Sequence, residues 1–125
     1  MRYYDAIGEK GYYIIAEIGV NYYDIAEKIN ISNLEAAKLM VEEAKKAGAD
    51  AVKFQTYTAG KIASRISPSY WDTSEEATTS QYELFKKYDK FGEKEYKEIQ
   101  MHCLSIGIEF MSTPLILMQQ IIWMI

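Results

Sequence analysis

Two charged side chains stand in the middle of otherwise apolar runs of this sequence. Glu17 lies within the run 12–20, and Lys53 lies within the run 51–57, followed two residues later by Gln55. Burying a charge is costly unless the charge is paired or serves a ligand. The residues alone leave two interpretations open: an ion pair between Glu17 and Lys53 that only fixes strand packing, or a site that uses both charges.

Polar side chains also gather where two of the predicted strands end. Lys53 and Gln55 lie near the end of one strand, and Ser112 and Thr113 lie near the end of another. In β/α folds the carboxyl ends of the strands carry the site. An ammonium group beside neutral donors suits the oxygens of a phosphate or carboxylate, whereas a strand lysine is also able to form a Schiff base. Both chemistries stay open on the residues alone.

The elements that must position these residues alternate between strands and helices. Helix starts are indicated by Ser32 with Glu35, a capping-box pair, and by Ser80, and a helix stop is indicated by Gly107. The predicted elements are, in order, a hairpin over 2–15 with its turn at 8–11, a buried strand over 12–20, a loop over 22–31, a helix from Ser32 to Lys46, a strand over 51–57, a Ser/Thr-rich excursion over 58–80, a short helix from Ser80 to Tyr88, a helix from Glu93 to Ile106 and a strand over 108–113. Strand–helix alternation with short links predicts a parallel sheet in an α/β fold.

Composition excludes several classes of protein. With 18 acidic against 14 basic residues in 125, the net charge is −4, which argues against binding nucleic acid or an anionic membrane surface. The single cysteine, Cys103, excludes an internal disulfide framework, and the single histidine, His102, excludes a His-rich metal cage. We find no signal-peptide pattern and no apolar run of membrane-spanning length, so we expect a cytoplasmic chain.

Four segments together resemble the sialic acid (N-acetylneuraminate) synthase family. They read Ile-Ala-Glu-Ile-Gly-Val-Asn at 15–21, Ala-Gly-Ala-Asp-Ala-Val-Lys-Phe-Gln-Thr at 47–56, Ser-Gln-Tyr-Glu at 80–83 and Gly-Ile-Glu-Phe-Met-Ser-Thr-Pro at 107–114. The resemblance implies the first three or so β/α units of a (β/α)₈ barrel, preceded by the hairpin and incomplete, over residues 1–114. It also implies an aldol-like condensation of phosphoenolpyruvate with an open-chain N-acyl mannosamine-type sugar, with release of phosphate.

The resemblance also implies roles for individual residues. Lys53 would contact phosphoenolpyruvate, Thr113 with Ser112 would help to hold its oxygens, and Glu17 and Gln55 would lie at the reacting centre. Asn21, at the end of the first matched segment, is a further candidate for substrate binding. A divalent metal, Mn or Mg, would polarise the sugar aldehyde, but its ligands are expected outside this chain. Family members form homodimers, and we expect self-association here as well.

Two departures from the family pattern affect these expectations. A His-Asn-Gly type turn usually follows the position of Asn21, but Tyr22 and Tyr23 stand here, which leaves the sugar open between neuraminic, legionaminic and pseudaminic acid precursors. The apolar tail 115–125 lacks the family's Phe-Asp pair. When the tail is back-translated with permitted codons and one T is added at its start, the new reading frame begins with Phe-Asp, so we hypothesise a frameshift. With about three of eight strands, this chain is expected to be inactive alone. A non-catalytic partner-binding remnant is the alternative.

Overall fold

The computed structural model describes residues 3–57, 59 and 63–114. The apolar tail 115–125, for which we hypothesised a frameshift, lies outside these residues. In the described part the order is α1 (Tyr3–Lys10), β1 (Ile15–Gly19), α2 (Tyr22–Ile29), α3 (Asn33–Lys46), β2 (Ala51–Thr56), α4 (Gln81–Tyr88), α5 (Glu93–Ile106) and β3 (Glu109–Pro114). None of the helices found in these ranges is long and apolar enough to cross a membrane.

The three strands form one parallel sheet in the order β1-β2-β3. Helix α3 connects β1 to β2 and helix α5 leads into β3, so the predicted strand–helix alternation and parallel pairing are confirmed. In the register, Glu17 lies beside Lys53, and Gln55 lies beside Thr113. Because side chains alternate between the faces of a strand, this register determines which side chains share a face.

The two faces of the sheet differ in what covers them. Val52 and Phe54 are fully buried in a core that helices α3 and α5 complete with Val41, Ile99 and other apolar side chains. Lys53 and Gln55, which alternate with them along β2, are only half-buried. The sheet therefore has a helix-covered face and an open face, and the open face carries the charged residues.

Helix α3 begins as its sequence predicts. The Ser32 hydroxyl accepts a hydrogen bond from the Glu35 amide at 3.1 Å, and the Glu35 carboxylate accepts one from the Ser32 amide at 2.9 Å. This reciprocal capping box satisfies two amides that have no partner within the helix. The helix then buries Ala36, Ala37 and Val41. A local signal was sufficient here because both partners lie within one turn.

Helix α5 also follows its prediction, from Glu93 to Ile106. Its buried side chains are Tyr96, Ile99 and Cys103. Gly107 ends the helix with a φ of 75°, a left-handed conformation that glycine adopts without steric cost. The short helix over Gln81–Tyr88 is confirmed too, and the Ser80 hydroxyl accepts a hydrogen bond from the Glu83 amide at 3.1 Å.

The predicted amino-terminal hairpin is wrong, because Tyr3–Lys10 forms helix α1. A glycine with positive φ suits a tight turn or a helix end equally well. Gly11, at φ 76°, donates its amide to the Ile7 carbonyl at 2.7 Å and so ends a helix rather than closing a hairpin. The helix is tied to the sheet by an ion pair between Lys10 and Asp50.

The predicted loop over 22–31 and the full buried strand over 12–20 also need correction. Tyr22–Ile29 is helix α2, which buries Tyr22 and Ala26 and ends at Asn30 with φ 55°. The spacing of Tyr22, Ile25 and Ala26 is that of an apolar helix stripe, a signal outweighed in the prediction by the polar residues between them. Strand β1 spans only Ile15–Gly19 and its first residue is exposed, because β1 is an edge of the described sheet.

Candidate functional site

An ion pair joins the two charged strand residues on the open face. The Lys53 ammonium lies 2.6 Å from the Glu17 carboxylate, and their side chains are 37% and 46% exposed. Pairs exposed to this extent contribute about 0–1 kcal/mol to folding. The charges therefore do little to hold the strands together, and both are accessible to a ligand.

A β-bulge at the end of β1 brings a third element to this pair. The strand register shifts between Glu17 and Gly19, and Gly19 has a φ of 58°. A methyl group placed on Gly19 would lie 3.6 Å from both the Glu17 Oε1 and the Gln55 Nε2. The carboxylate of β1 and the amide of β2 thus converge on one glycine, and bulges of this kind are common next to active sites.

The register adds Thr113 to the same face. Thr113 lies beside Gln55 and Met111 lies beside Lys53, so both β3 residues share the open face with them. The structure therefore brings together Glu17, Lys53, Gln55 and Thr113, four of the predicted residues, and we call these four the open-face quartet. The cation, the amide and the hydroxyl can together bind an anion, and the carboxylate can hold a polar molecule such as water beside that anion.

Ser112 is not brought together with the quartet. It neighbours Thr113 in sequence and therefore points to the helix-covered face, where its hydroxyl pairs with that of Thr56 and donates to the Phe54 carbonyl at 3.3 Å. Asn21 lies at the carboxyl end of β1, at the N-cap of α2, with an exposed side chain that makes no capping bond. Asn21 thus lies at the carboxyl-terminal edge of the sheet, whereas Ser112 lies on the helix-covered face.

The aromatic residues after β1 belong to the core rather than to the open face. Tyr22 is fully buried and stacks on Phe91 with ring centroids 4.2 Å apart. Burial raises the pKa of Tyr22 well above its ordinary value. Tyr23 packs edge-on against Tyr88 at 5.5 Å. Both tyrosines therefore pack against other aromatic side chains, and Tyr22 covers the core rather than lining a sugar site.

The excursion before α4 is held by its own polar contacts. The Trp71 indole donates to the carbonyls of Glu76 and Thr78 at 3.2 and 3.1 Å. The Glu76 carboxylate in turn pairs with Lys87 of α4 at 2.8 Å. The Lys87 bond, with hydrogen bonds from Thr78, lowers the pKa of Glu76 to about 2. Trp71 therefore holds the excursion together internally, and the Glu76 carboxylate joins it to α4.

One supporting residue was missed by sequence reasoning. Tyr96 of α5 is not among the predicted site residues, yet its hydroxyl donates to the main-chain oxygen of Gln55 at 2.8 Å. Burial raises the pKa of Tyr96 to about 12, so the hydroxyl stays protonated and able to donate. The signal available in the sequence was a tyrosine, rather than a phenylalanine, on the apolar stripe of this helix with Ile99 and Cys103.

A cleft at the opposite end of the sheet serves a different purpose. It encloses about 560 Å³ near the amino ends of the strands and is lined in part by Lys10, Tyr13, Asp50 and Glu109. Lys10 pairs with Asp50, and Tyr13 donates to the Glu109 carboxylate. A hydrogen bond from the Ile14 amide, followed by that from Lys10, lowers the pKa of Asp50. These contacts tie the amino-terminal segment to the sheet.

Across residues 3–57, 59 and 63–114, no group of three or more His, Cys, Asp or Glu side chains is arranged to hold a metal ion. The donor set of the quartet includes a single carboxylate that is already paired with a lysine. These residues do not fit a divalent cation, and we derive no step of the chemistry through one.

Comparison with known proteins gives a consistent result. Residues 40–121 match the NeuB family. The chain is 37% identical over 103 residues to the N,N'-diacetyllegionaminic acid synthase of Legionella pneumophila, covering 81% of this chain and 26% of that protein. It is 33% identical over 103 residues to the N-acetylneuraminate-9-phosphate synthase of Drosophila melanogaster, covering 82% of this chain and 26% of that protein.

A solved structure shows the same architecture. The N-acetylneuraminic acid synthetase of Leptospira borgpetersenii, in complex with citrate, superposes with a TM-score of 0.62 at 26% identity, over 88% of this chain and 31% of that chain. The parallel sheet described above thus corresponds to the amino-terminal part of a sialic acid synthase (β/α)₈ barrel. The chain spans about a quarter of the length of the curated relatives that it matches. With its family model matched over residues 40–121, the chain belongs to the NeuB family.

Proposed function

We propose that this chain supplies the phosphoenolpyruvate-binding part of a sialic-acid-synthase-type barrel. The whole barrel would condense phosphoenolpyruvate with an N-acyl mannosamine-type sugar to give a nonulosonic acid and phosphate. The observation that carries this proposal is the open-face quartet, in which Lys53 is accessible beside two neutral donors at the carboxyl ends of the strands. Its relatives named as synthases support the reaction class.

Each member of the quartet has a role that its chemistry permits. The Lys53 ammonium and the Thr113 hydroxyl hold oxygens of phosphoenolpyruvate, because charge-assisted bonds to such oxygens are the strongest available here. Glu17, which already lies within 2.6 Å of Lys53, positions water or the sugar next to the bound anion. Gln55 donates its amide to the same ligand. Outside the quartet, we propose Asn21 as a further donor, on the sugar side of the site.

The reaction forms one carbon–carbon bond and one carbon–oxygen bond to water, breaks the carbon–oxygen bond to phosphate, and moves a proton from water to the aldehyde oxygen. The methylene carbon of phosphoenolpyruvate attacks the aldehyde carbon of the open-chain sugar, water adds to the carbon that bears the phosphate, and phosphate leaves from that carbon. A carboxylate beside the reacting atoms suits the movement of a proton from water. Because the proposed donor is a metabolite of the cytoplasm, we place the chain there, and we propose a homodimer for the whole protein.

Of the three acceptor types that the sequence leaves open, the neuraminic and legionaminic precursors have named synthases among the relatives of this chain. The 37% identity to a diacetyllegionaminic acid synthase favours a legionaminic-type precursor alongside the neuraminic one. Tyr22, which stands where the family usually has a histidine, is buried and so presents no group to a sugar. Product analysis with both acceptors distinguishes the candidates.

A binding role without catalysis is the alternative from another class. Tyr12, Ile14 and Ile15 at the edge formed by β1 are 57%, 48% and 42% exposed, and such an edge is able to pair with another chain. Sedimentation over a dilution series tests this alternative. A defined stoichiometric complex favours partner binding, whereas polydisperse association favours an isolated portion of an enzyme.

A chimera tests the proposed function. Residues 12–114 replace the matching segment of the Legionella pneumophila synthase. Phosphate release from phosphoenolpyruvate is then measured with the neuraminic-type and the legionaminic-type precursor, in the presence of Mn or Mg. We expect release by the chimera, a loss of at least about 100-fold with Lys53→Met, and no change with Lys46→Met. Lys46 is the matched control because it forms a comparable exposed pair with Glu43 at 2.7 Å. A folded Lys53→Met chimera with full activity contradicts the proposal.

A further inference from the structure

The carboxyl end of β2 is held from behind by a side chain of a distant helix. The Tyr96 hydroxyl donates to the main-chain oxygen of Gln55 at 2.8 Å, although the two residues are 41 positions apart. Tyr96 is 4% exposed, and its ring packs edge-on against Phe91 with centroids 5.6 Å apart. A phenylalanine would make the same ring contact, so what tyrosine adds is its hydroxyl, which donates to the Gln55 oxygen.

Further hydroxyl groups extend this support across the covered face. Tyr96 shares a side-chain hydrogen bond with Thr56, and the Thr56 hydroxyl pairs with that of Ser112. Ser112 in turn donates to the Phe54 carbonyl. Three hydroxyls thus link helix α5, the last residues of β2 and the end of β3. All of these contacts lie on the face opposite the quartet.

The position of Gln55 connects this network to the site. Its main-chain oxygen accepts from Tyr96, while its side chain projects to the open face and reaches the place where Glu17 and Gly19 converge. The amide can bind a ligand at a fixed place only if the main chain that carries it is fixed. The hydroxyl of Tyr96 supplies that constraint from the helix side.

We propose that Tyr96 is a positioning residue that holds Gln55 in place to hydrogen-bond phosphoenolpyruvate. This inference rests on the proposed function, because it assumes that the quartet binds that anion. Tyr96 itself does not touch the ligand. Its effect on affinity passes entirely through the side chain of Gln55.

The test measures phosphoenolpyruvate binding to the full 125-residue chain by amide NMR titration. Tyr96→Phe is expected to weaken binding about fivefold, the loss of roughly one hydrogen bond. Tyr13→Phe is the matched control, since Tyr13 donates to Glu109 at the opposite end of the sheet. In a Gln55→Ala background, Tyr96→Phe is expected to cause no further loss, a non-additivity that a merely structural tyrosine would not produce.

Each result bears on the proposal. Equal affinity of Tyr96→Phe and wild type, or an additive loss in the Gln55→Ala background, overturns it. If the wild-type chain does not bind phosphoenolpyruvate, the proposed function fails, and the positioning role is then read from the Gln55 side-chain amide resonances. A shift of these resonances in Tyr96→Phe but not in Tyr13→Phe supports positioning, and no shift overturns it. Thr56→Val removes a neighbouring hydroxyl but leaves the bond from Tyr96 to Gln55 in place. It is expected to bind as wild type does, and a loss equal to that of Tyr96→Phe overturns the specific role of Tyr96.

Discussion

Replacing Gly19 by alanine tests the bulge that joins the carboxylate of β1 to the amide of β2. The new methyl group would lie 3.6 Å from Glu17 Oε1 and Gln55 Nε2, which is ordinary contact, so no clash contributes. The cost is the backbone conformation at φ 58°, about 1–2 kcal/mol for a residue with a Cβ. Alanine recovers about 0.4–1 kcal/mol by reducing the freedom of the unfolded chain. We therefore expect a net loss of about 1 kcal/mol.

Urea unfolding of the chain measures this loss. With a denaturant slope of about 2 kcal/mol per molar, a loss of about 1 kcal/mol lowers the midpoint by about 0.5 M at unchanged slope. Gly8→Ala is the matched control, because Gly8 lies within helix α1 with no atom within 4 Å of the added methyl group. That change is expected to stabilise the chain by about 0.5–1 kcal/mol. A Gly19→Ala chain as stable as wild type would refute the left-handed bulge.

Two further predictions concern the covered face and the excursion. Ser112→Ala is expected to cost about 1 kcal/mol of stability by urea unfolding and to leave phosphoenolpyruvate affinity unchanged. Thr113→Val, on the open face, is expected to lower that affinity about fivefold at nearly constant stability. If Ser112→Ala weakens binding and Thr113→Val does not, the two residues are assigned to the wrong faces. Because the folded pKa of Glu76 is about 2, below its ordinary 4.5, its bond to Lys87 is at full strength above about pH 4.5 and is lost as the pH falls towards 2. The indole N–H resonance of Trp71 is expected to move in that window, and a resonance constant down to pH 2 contradicts the contact.

The parts of the fold that were predictable from sequence are those with local causes. Ser32 and Glu35 lie within one turn of each other, and Gly107 ends a helix by itself, so α3 and α5 follow from short patterns. The hairpin failed because Gly11 permits either a turn or a helix end, and the choice depends on the packing of α1 near the sheet. No neighbouring residue supplies that information.

The candidate site was predictable as a set of residue types but not as a geometry. Alternation along β2 places Lys53 and Gln55 on one face, yet the contact of Lys53 with Glu17 depends on the register between two strands. The same alternation places Ser112 and Thr113 on opposite faces of the sheet. The sequence motif gives no sign of this, because the two residues are adjacent in it. Tyr96 reaches Gln55 across 41 positions, a relation that only tertiary packing creates.

Lys53 is available to an acidic ligand, because its pair with Glu17 is exposed and does little for folding. The decisive measurement is a phosphoenolpyruvate titration of the wild-type, Lys53→Met and Lys46→Met chains. The urea midpoint of each chain is determined alongside, as the measure of its stability. Loss of a charge-assisted bond of about 1.5–3 kcal/mol predicts an affinity about 10- to 150-fold weaker for Lys53→Met. The stability of that chain should fall by no more than about 1 kcal/mol, because the pair with Glu17 is exposed. A Lys53→Met chain that binds as wild type does, or that loses stability while keeping its affinity, would show that Lys53 serves folding rather than ligand binding.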